Sequence, residues 1–250
     1  MLRGFYTAAS GILTNERTLN VLTNNMANAK TPGFRASRVV TTTFDHELLT
    51  RIEGYNTGRI GVGSPMRRVE DVLVNFNPNS LEETGSPYDM ALDGLGYFNI
   101  QDGEGNQFLT RNGAFELDDE NRLTLTAGGF VMGEKGIIEL TTSDFTVEPD
   151  GTIYDARGKK VDRLLLTIPP EGAQLEQARN GLFTVPDMEA NLPVDSSTNV
   201  VQGYLERNNI DLNQEYAMVM EAQRAFQSCS TALQIIDRID QKAAQQIAAL

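Results

Sequence analysis

Residues 212–250 read LNQEYAMVMEAQRAFQSCSTALQIIDRIDQKAAQQIAAL. Val219, Ala222, Phe226, Cys229, Leu233, Ile236, Ala243, Ile247 and Leu250 fall on one alternating three-four series, in which Asp240 is the only polar member. That 3.5-residue repeat predicts a helix whose narrow apolar stripe meets another helix. The series extends back through Glu215 and Leu212. Asp211, with Gln214 three residues later, is spaced as an N-cap with its capping box, so the helix should begin near Leu212. At 1.5 Å per residue it would run about 55 to 60 Å, longer than a compact domain of this size needs.

The other end of the chain repeats the pattern. Leu2, Phe5, Ala9, Ile12, Leu19 and Met26 alternate by three and four, with Glu16 and Thr23 filling two stripe positions and Tyr6, Leu13 and Leu22 beside it. Gly4 and Gly11 each cost about 1 kcal/mol relative to Ala inside a helix, so this helix needs a partner. It should stop before Thr31-Pro32-Gly33: a residue preceding Pro is pushed out of the α region, and Gly33 suits the second central position of a type II turn.

Between the two ends the texture changes. From Val62 to Val201, Gly, Pro, Asn and Asp cut the chain into short β-type runs. Hairpins are predicted for 97–100 with 107–110 and for 114–117 with 122–125, a turn at Pro149-Asp150-Gly151 leading into 152–154, and strands at 161–168 and 182–185. The fold class is therefore α+β, with long N- and C-terminal coiled-coil-type helices flanking a central all-β domain. The divisions are 1–35 (helix and turn), 36–61 (connecting segment), 62–201 (all-β domain) and 202–250 (C-terminal helix).

Composition narrows the chemistry. Of 250 residues, 21 are Lys or Arg and 34 Asp or Glu, a net charge of −13 that disfavours nucleic acid phosphates and anionic lipid heads. One Cys and one His exclude an internal disulfide and leave little for a zinc site. Cys229 reads as a small buried hydrophobe and His46 as a surface or loop residue. The acidic clusters Asp102/Glu104 and Asp118/Asp119/Glu120 lack the spacing of a calcium loop and read as solvated turns; Gly61-Val62-Gly63 lacks the setting of a nucleotide fingerprint. No run is long and apolar enough for a membrane helix, and the first residues are too interrupted for a signal peptide's apolar core. The charge is also unevenly placed. Arg3, Arg17, Lys30 and Arg35 against Glu16 give residues 1–35 a net +3; Arg224, Arg238 and Lys242 against Asp211, Glu215, Glu221, Asp237 and Asp240 give residues 211–250 a net −2. The rest of the chain holds −14, so the helical ends are nearly neutral and of opposite sign, which favours their packing together.

Two readings of the ends compete. In one they form a helical hairpin packed on the chain's own domain. In the other they form a stalk whose outer apolar faces contact neighbouring copies in contacts that do not close. Tyr6, Leu13, Leu22, Met218, Met220, Ala225, Ala232, Ile235 and Ile239 lie off the stripe, and a two-helix pair would leave much of that apolar surface in water, which favours the second. Ala27-Asn28-Ala29-Lys30-Thr31-Pro32-Gly33-Phe34-Arg35 resembles the A-N-x-x-T-P-G-[FY]-[KR] signature of the axial proteins of the bacterial flagellum, in the rod and hook branch. Gly94-Leu95-Gly96-Tyr97-Phe98 and Leu109-Thr110-Arg111-Asn112-Gly113-Ala114-Phe115 are similar to that family's G-x-G-[FY]-F and [YF]-T-R-x-G-x-F segments. Gly203-Tyr204-Leu205-Glu206-Arg207-Asn208-Asn209-Ile210-Asp211 and Glu221-Ala222-Gln223-Arg224-Ala225-Phe226 are similar to G-x-L-E-x-S-N-V-[DN] and E-A-Q-R-[AS]-[FY], with Asn208 where Ser is usual.

The resemblance implies a non-enzymatic subunit of the basal-body rod, proximal or distal branch, that assembles helically and carries torque from motor to hook. It implies no cofactor and no metal. The implied partners are further copies of the chain, other rod and hook proteins and the flagellum's type III export apparatus, with extracytoplasmic localisation and no cleaved signal peptide. The expected assembly interface comprises Leu2, Phe5, Ala9, Ile12, Leu19, Met26, Asn28, Pro32, Gly33, Phe34, Val219, Ala222, Arg224, Phe226, Cys229, Leu233, Ile236, Ala243 and Ile247. A secreted carbohydrate-binding or hydrolytic β domain with helical tails, using Asp118 and Glu120, is the alternative.

Overall fold

A computed structural model of the chain describes residues 2–43, 47–53, 56–63, 67–76, 79–126, 128–140, 144–169, 175–178, 181–184, 192–193 and 198–248. They form two compact units, and the chain passes between these units four times. The first comprises residues 1–27, 37–75 and 210–250; the second comprises 28–36 and 76–209.

The first unit is built on two helices, α1 (Leu2–Ala27) and α2 (Leu212–Ala248). Asp211 caps α2 as its spacing foretold, its Oδ1 accepting from the N–H groups of Asn213 (2.9 Å) and Gln214 (3.4 Å). The helices pair antiparallel in one register. Gly4 lies against Ile236, Gly11 against Cys229, and Asn25 reaches Glu215, so each step along α1 is matched by an equal step back along α2.

The face of α1 that makes these contacts is not the one its apolar stripe indicates. Gly4, Ala8, Gly11, Asn15, Thr18, Leu22 and Asn25 follow their own four-three series, one position away from Phe5, Ala9, Ile12, Glu16, Leu19, Thr23 and Met26. Ala8, Leu22 and Asn25 are buried, whereas Phe5, Glu16 and Thr23 are exposed and Ile12, Leu19 and Met26 half-buried. Fit decides the matter rather than hydrophobicity. A Cβ on Gly11 would sit 2.8 Å from the Cys229 sulfur, so the absence of a side chain lets the backbones approach and multiplies dispersion contacts. On α2 the sequence stripe does face its partner: Ala222 is buried and Val219, Phe226, Cys229, Leu233 and Ile236 are half-buried.

Residues 36–61, read from the sequence as a connecting segment, instead carry strands. Ser37–Thr43 pairs antiparallel with Arg67–Val74, and Glu47–Glu53 with Asn56–Gly63. The first ribbon packs on α1 and completes the unit.

Among its described residues the second unit is built of β-strands and turns. Its largest sheet runs in the order Glu176–Gln177, Leu182–Thr184, Gln107–Thr110, Tyr97–Gln101, Phe130–Gly133, Leu123–Leu125 and Phe115–Leu117. Both expected hairpins form, Ile100 opposite Phe108 and Leu123 opposite Leu117. A three-stranded sheet is formed by Phe145–Val147, Thr152–Asp155 and Lys160–Arg163, the turn at Gly151 joining its first two strands. Met90–Asp93 pairs with Asn199–Gln202, and Leu81–Glu83 with Tyr204–Glu206. Phe98, Ile100, Leu123, Val131, Ile138 and Ile153 are sealed at the centre of its core. His46 lies outside the described residues.

The Gly11–Cys229 contact is open to a direct test by denaturant unfolding. Gly11→Ala should destabilise the chain by roughly 1–3 kcal/mol through overpacking. In a Cys229→Ala background the same change should become neutral or stabilising by up to ~1 kcal/mol, because only the helix propensity of Ala is left.

Candidate functional site

The turn that ends α1 takes the conformation its sequence demands. Gly33 has φ +65°, and Phe34 N–H returns to the Thr31 carbonyl (3.4 Å), closing a type II turn with Pro32 first and Gly33 second. A Cβ on Gly33 would lie 2.4 Å from the backbone of Arg111, so glycine is required by space as well as by φ. Its N–H donates to the Glu206 carbonyl at 2.8 Å.

That turn delivers Arg35 into a buried cluster of the second unit. Arg35 Nη2 meets Glu206 Oε1 at 2.5 Å, and Arg111 Nη1 lies 3.6 Å from Glu206 Oε2, with all three side chains at most 4% exposed. Asn79 N–H adds a bond to the same carboxylate at 3.2 Å. Arg111 also donates to the carbonyls of Leu92 (3.4 Å) and Gly94 (2.6 Å), and its guanidinium stacks 4.9 Å above the Tyr97 ring. Burial lowers the pKa of Arg111, opposed by the Glu206 charge; burial likewise raises that of Tyr97, opposed by Arg111 and Arg35. Around the cluster, Asn208 donates to the Ala29 carbonyl (2.5 Å) and Ala36 N–H to Asn209 Oδ1 (2.6 Å). The segment following α1 and the segment preceding α2 are thus clasped to each other.

A second polar knot lies in the first unit, at the closed end of the helix pair. The fully buried Asn25 amide donates to the Ser37 carbonyl (2.9 Å) and accepts from Ser37 N–H (3.0 Å), as a neighbouring strand would. Its Nδ2 also reaches Glu215 at 3.4 Å, and Arg38 closes an ion pair on the same buried carboxylate. A buried carboxylate with both an amide and a guanidinium is satisfied; without them it would be costly.

The residues expected at an assembly interface divide between these settings. Gly33 and Phe34 are buried inside the second unit, Phe34 beneath Gly181, while Asn28 and Pro32 are half-buried there. In the first unit Phe5 and Arg224 are exposed, Ala9, Ile12, Leu19, Met26 and Ala243 half-buried, and the other α2 stripe residues face α1; Leu2 and Ile247 lie outside the described side chains. What the helices leave outside is apolar: Tyr6 is 53% exposed, Leu13 66%, Tyr216 53%, Met220 54% and Ile235 52%.

The sequence reading passed over the pairing of Arg35, Arg111 and Glu206, and over Asn25 and Arg38. A signal was present in Glu215, a carboxylate on an apolar stripe. The acidic turns are accounted for locally. Asp118 accepts from Arg122 N–H and Glu120 N–H and pairs with the Arg122 guanidinium, and Asp102 accepts from Asn106 and Glu104. Hydrogen bonds, from Arg122 N–H and the Asn106 side chain first, hold both carboxyls below their ordinary pKa. Any stability they lend is present above the ordinary carboxylate pKa and fades as pH falls through the lowered one. Their oxygens close hairpins.

Comparison with known proteins matches three stretches. Residues 5–35 match the family described as flagella basal body rod protein, 91–155 the flagellar hook protein FlgE/F/G D1 domain, and 201–246 the flagellar basal body rod FlgEFG protein C-terminal region. The chain is 31% identical to the flagellar basal-body rod protein FlgG of Bacillus subtilis, over 97% of this chain and 98% of that protein. It is 27% identical to the flagellar basal-body rod protein FlgF of Caulobacter vibrioides (99% and 98%) and 27% to the flagellar hook-basal body complex protein FlhO of Bacillus subtilis (99% of each). Each of the three matched stretches supplies one member of the clasp: Arg35, Arg111 and Glu206.

Glu206→Gln leaves two buried guanidiniums without a counter-charge and should lower unfolding free energy by about 3–5 kcal/mol, read by urea denaturation. Arg207→Gln next door, whose pair with Glu82 is largely exposed, should change it by less than ~1 kcal/mol.

Proposed function

The chain belongs to the flagellar basal-body rod protein family, and on that premise we propose that it is a structural subunit of the rod, catalysing no reaction. It self-assembles helically through α1 and α2 and transmits torque from motor to hook. The observation that carries this reading is the division of labour on the helices. α1 turns its small residues to α2 and leaves Phe5, Tyr6 and Leu13 in water, while α2 leaves Tyr216, Met220 and Ile235. At about 25 cal/mol per Å², covering that surface favours packing against further copies, in coiled-coil fashion along the 3.5-residue stripe that α1 does not spend on its own partner.

Torque in such a polymer passes through many identical contacts, so stiffness of each subunit matters more than any pocket. The buried clasp of the second unit ties distant segments of that unit together, and the Asn25–Ser37–Glu215–Arg38 knot of the first locks the end of α1 to the strand after it, which suits a part that must not yield under load. The near-neutral helical ends let copies approach, while the charge of −14 on the remaining residues keeps other surfaces apart. The partners on this reading are further copies and other axial proteins of the flagellum. The protein reaches the basal body through the flagellar type III apparatus. Among the described residues, no helix is long and apolar enough to cross a membrane.

Two substitutions separate assembly from folding. Leu13→Asp, on the outer face, should keep the far-UV helical signal of the monomer but abolish rods seen by electron microscopy. Leu233→Asp, on the face turned to α1, should weaken both, since it removes roughly 1.5–3 kcal/mol of side-chain burial. Rods formed by Leu13→Asp as readily as by the parent chain would contradict the reading.

A further inference from the structure

Each helix carries a short apolar ridge on its outer surface in its first turns, and polar residues end it. On α1, Phe5 and Leu13 are exposed with the half-buried Ala9 between them, and the exposed Glu16, Arg17 and Asn20 follow. On α2, Leu212, Tyr216 and Met220 are exposed, and the exposed Gln223, Arg224 and Gln227 follow. Both rows step by four residues, so each forms a ridge about 12 Å long. Their profiles are opposite: the α1 ridge is lowest at its centre, Ala9, and the α2 ridge is highest at its centre, Tyr216.

One chain cannot bring the two ridges together. Gly4 against Ile236, Gly11 against Cys229 and Asn25 against Glu215 set a single register, in which Ala9 stands level with Thr231, 15 residues or about 22 Å along α2 from Tyr216. A second copy supplies the match, and size selects which ridge meets which. α1 on α1 would leave Ala9 facing Ala9 across a gap, and α2 on α2 would drive Tyr216 into Tyr216, whereas α1 on α2 sets the large side chain over the small one. Charge agrees with this choice. Arg17 continues the α1 row one turn past Leu13, Glu16 lies off that row, and the exposed Asp211 stands just ahead of Leu212 on the other ridge.

We propose that the Phe5–Ala9–Leu13 ridge of one copy packs antiparallel on the Leu212–Tyr216–Met220 ridge of a second copy. Tyr216 fills the gap over Ala9, Phe5 lies level with Met220 and Leu13 with Leu212, and Arg17 comes alongside Asp211. The proposal rests on the rod reading and deepens it. Because the two ridges are different surfaces, the contact is head-to-tail and propagates rather than closing into a dimer. Neighbouring copies are displaced by about 22 Å along the helix axis, the difference between the register inside a chain and the register between chains.

The test uses full-length chains. Leu13→Glu and Leu212→Lys should each cut the pelletable polymer by at least ~10-fold, and the double variant, in which the two charges meet, should recover to within about threefold of the parent. Single variants that polymerise like the parent, or a double variant no better than either single, overturn the proposal. Cross-linking reads the contact independently of polymer growth. With Cys229→Ala in every chain, Ala9→Cys mixed with Tyr216→Cys should give a mixed disulfide under mild oxidation, and Ala9→Cys mixed with Ile239→Cys, at the other exposed apolar stretch of α2, should not. A mixed disulfide at Ile239 instead, or Ala9→Cys homodimers in its place, overturns the proposal too. Rods from the parent chain without the Ala9–Tyr216 cross-link would refute this contact while sparing the rod reading; neither rods nor cross-link would refute both.

Discussion

Everything in the first unit follows from how closely two helix backbones approach. Gly4, Ala8 and Gly11 put almost no side chain between α1 and α2, so the pair is held by backbone proximity and by the side chains of one partner, Cys229 and Ile236 among them. The consequence is an inversion of the usual amphipathic arrangement: Leu22 apart, the larger apolar residues of α1 lie beside or opposite the contact instead of within it. A helix that spent Phe5 and Leu13 on its own hairpin would have nothing left to offer a neighbour. The glycines that make α1 a poor helix in isolation are what make the pair asymmetric, closely packed on one face and apolar on the exposed one.

A polar knot acts on the same pair from its closed end. Asn25 imitates a strand edge to Ser37 and, with Arg38, satisfies the buried carboxylate of Glu215, fixing where α1 stops against where α2 begins. In the second unit, Arg35, Arg111 and Glu206 tie the segment after α1 to the segment before α2. A buried ion cluster is a weak source of net stability, because desolvation consumes most of the Coulomb gain, but it is intolerant of rearrangement once formed. That intolerance is the useful property here. Three stretches far apart in sequence must arrive together for all three charges to be satisfied.

Much of the architecture was legible beforehand, and the reasons are local. The α2 stripe, the Asp211 cap, the Thr31–Phe34 turn and the hairpins at 97–110 and 114–125 each depend on residues within a few positions of one another, where propensity and turn chemistry act alone. The α1 contact face was misplaced by one residue, because hydrophobic periodicity ranks side chains by aversion to water while close packing selects for size. In residues 36–61, which looked like a connector, the strand Ser37–Thr43 finds its partner about 30 positions on, at Arg67–Val74, where no short window could show the pairing; the hairpin of Glu47–Glu53 with Asn56–Gly63 is local and was simply passed over. The clasp was invisible for a related reason. Arginine and glutamate in a polar motif look solvated until the fold shows that Arg35, Arg111 and Glu206 share one interior site.

Hydroxyl-radical labelling of side chains, comparing dilute chain with assembled rods, tests most directly whether the outer faces of the helices are where copies meet. The account requires Phe5, Tyr6, Leu13, Tyr216, Met220 and Ile235 to lose most of their reactivity on assembly. Rods in which these side chains remain as reactive as in the dilute chain would contradict it.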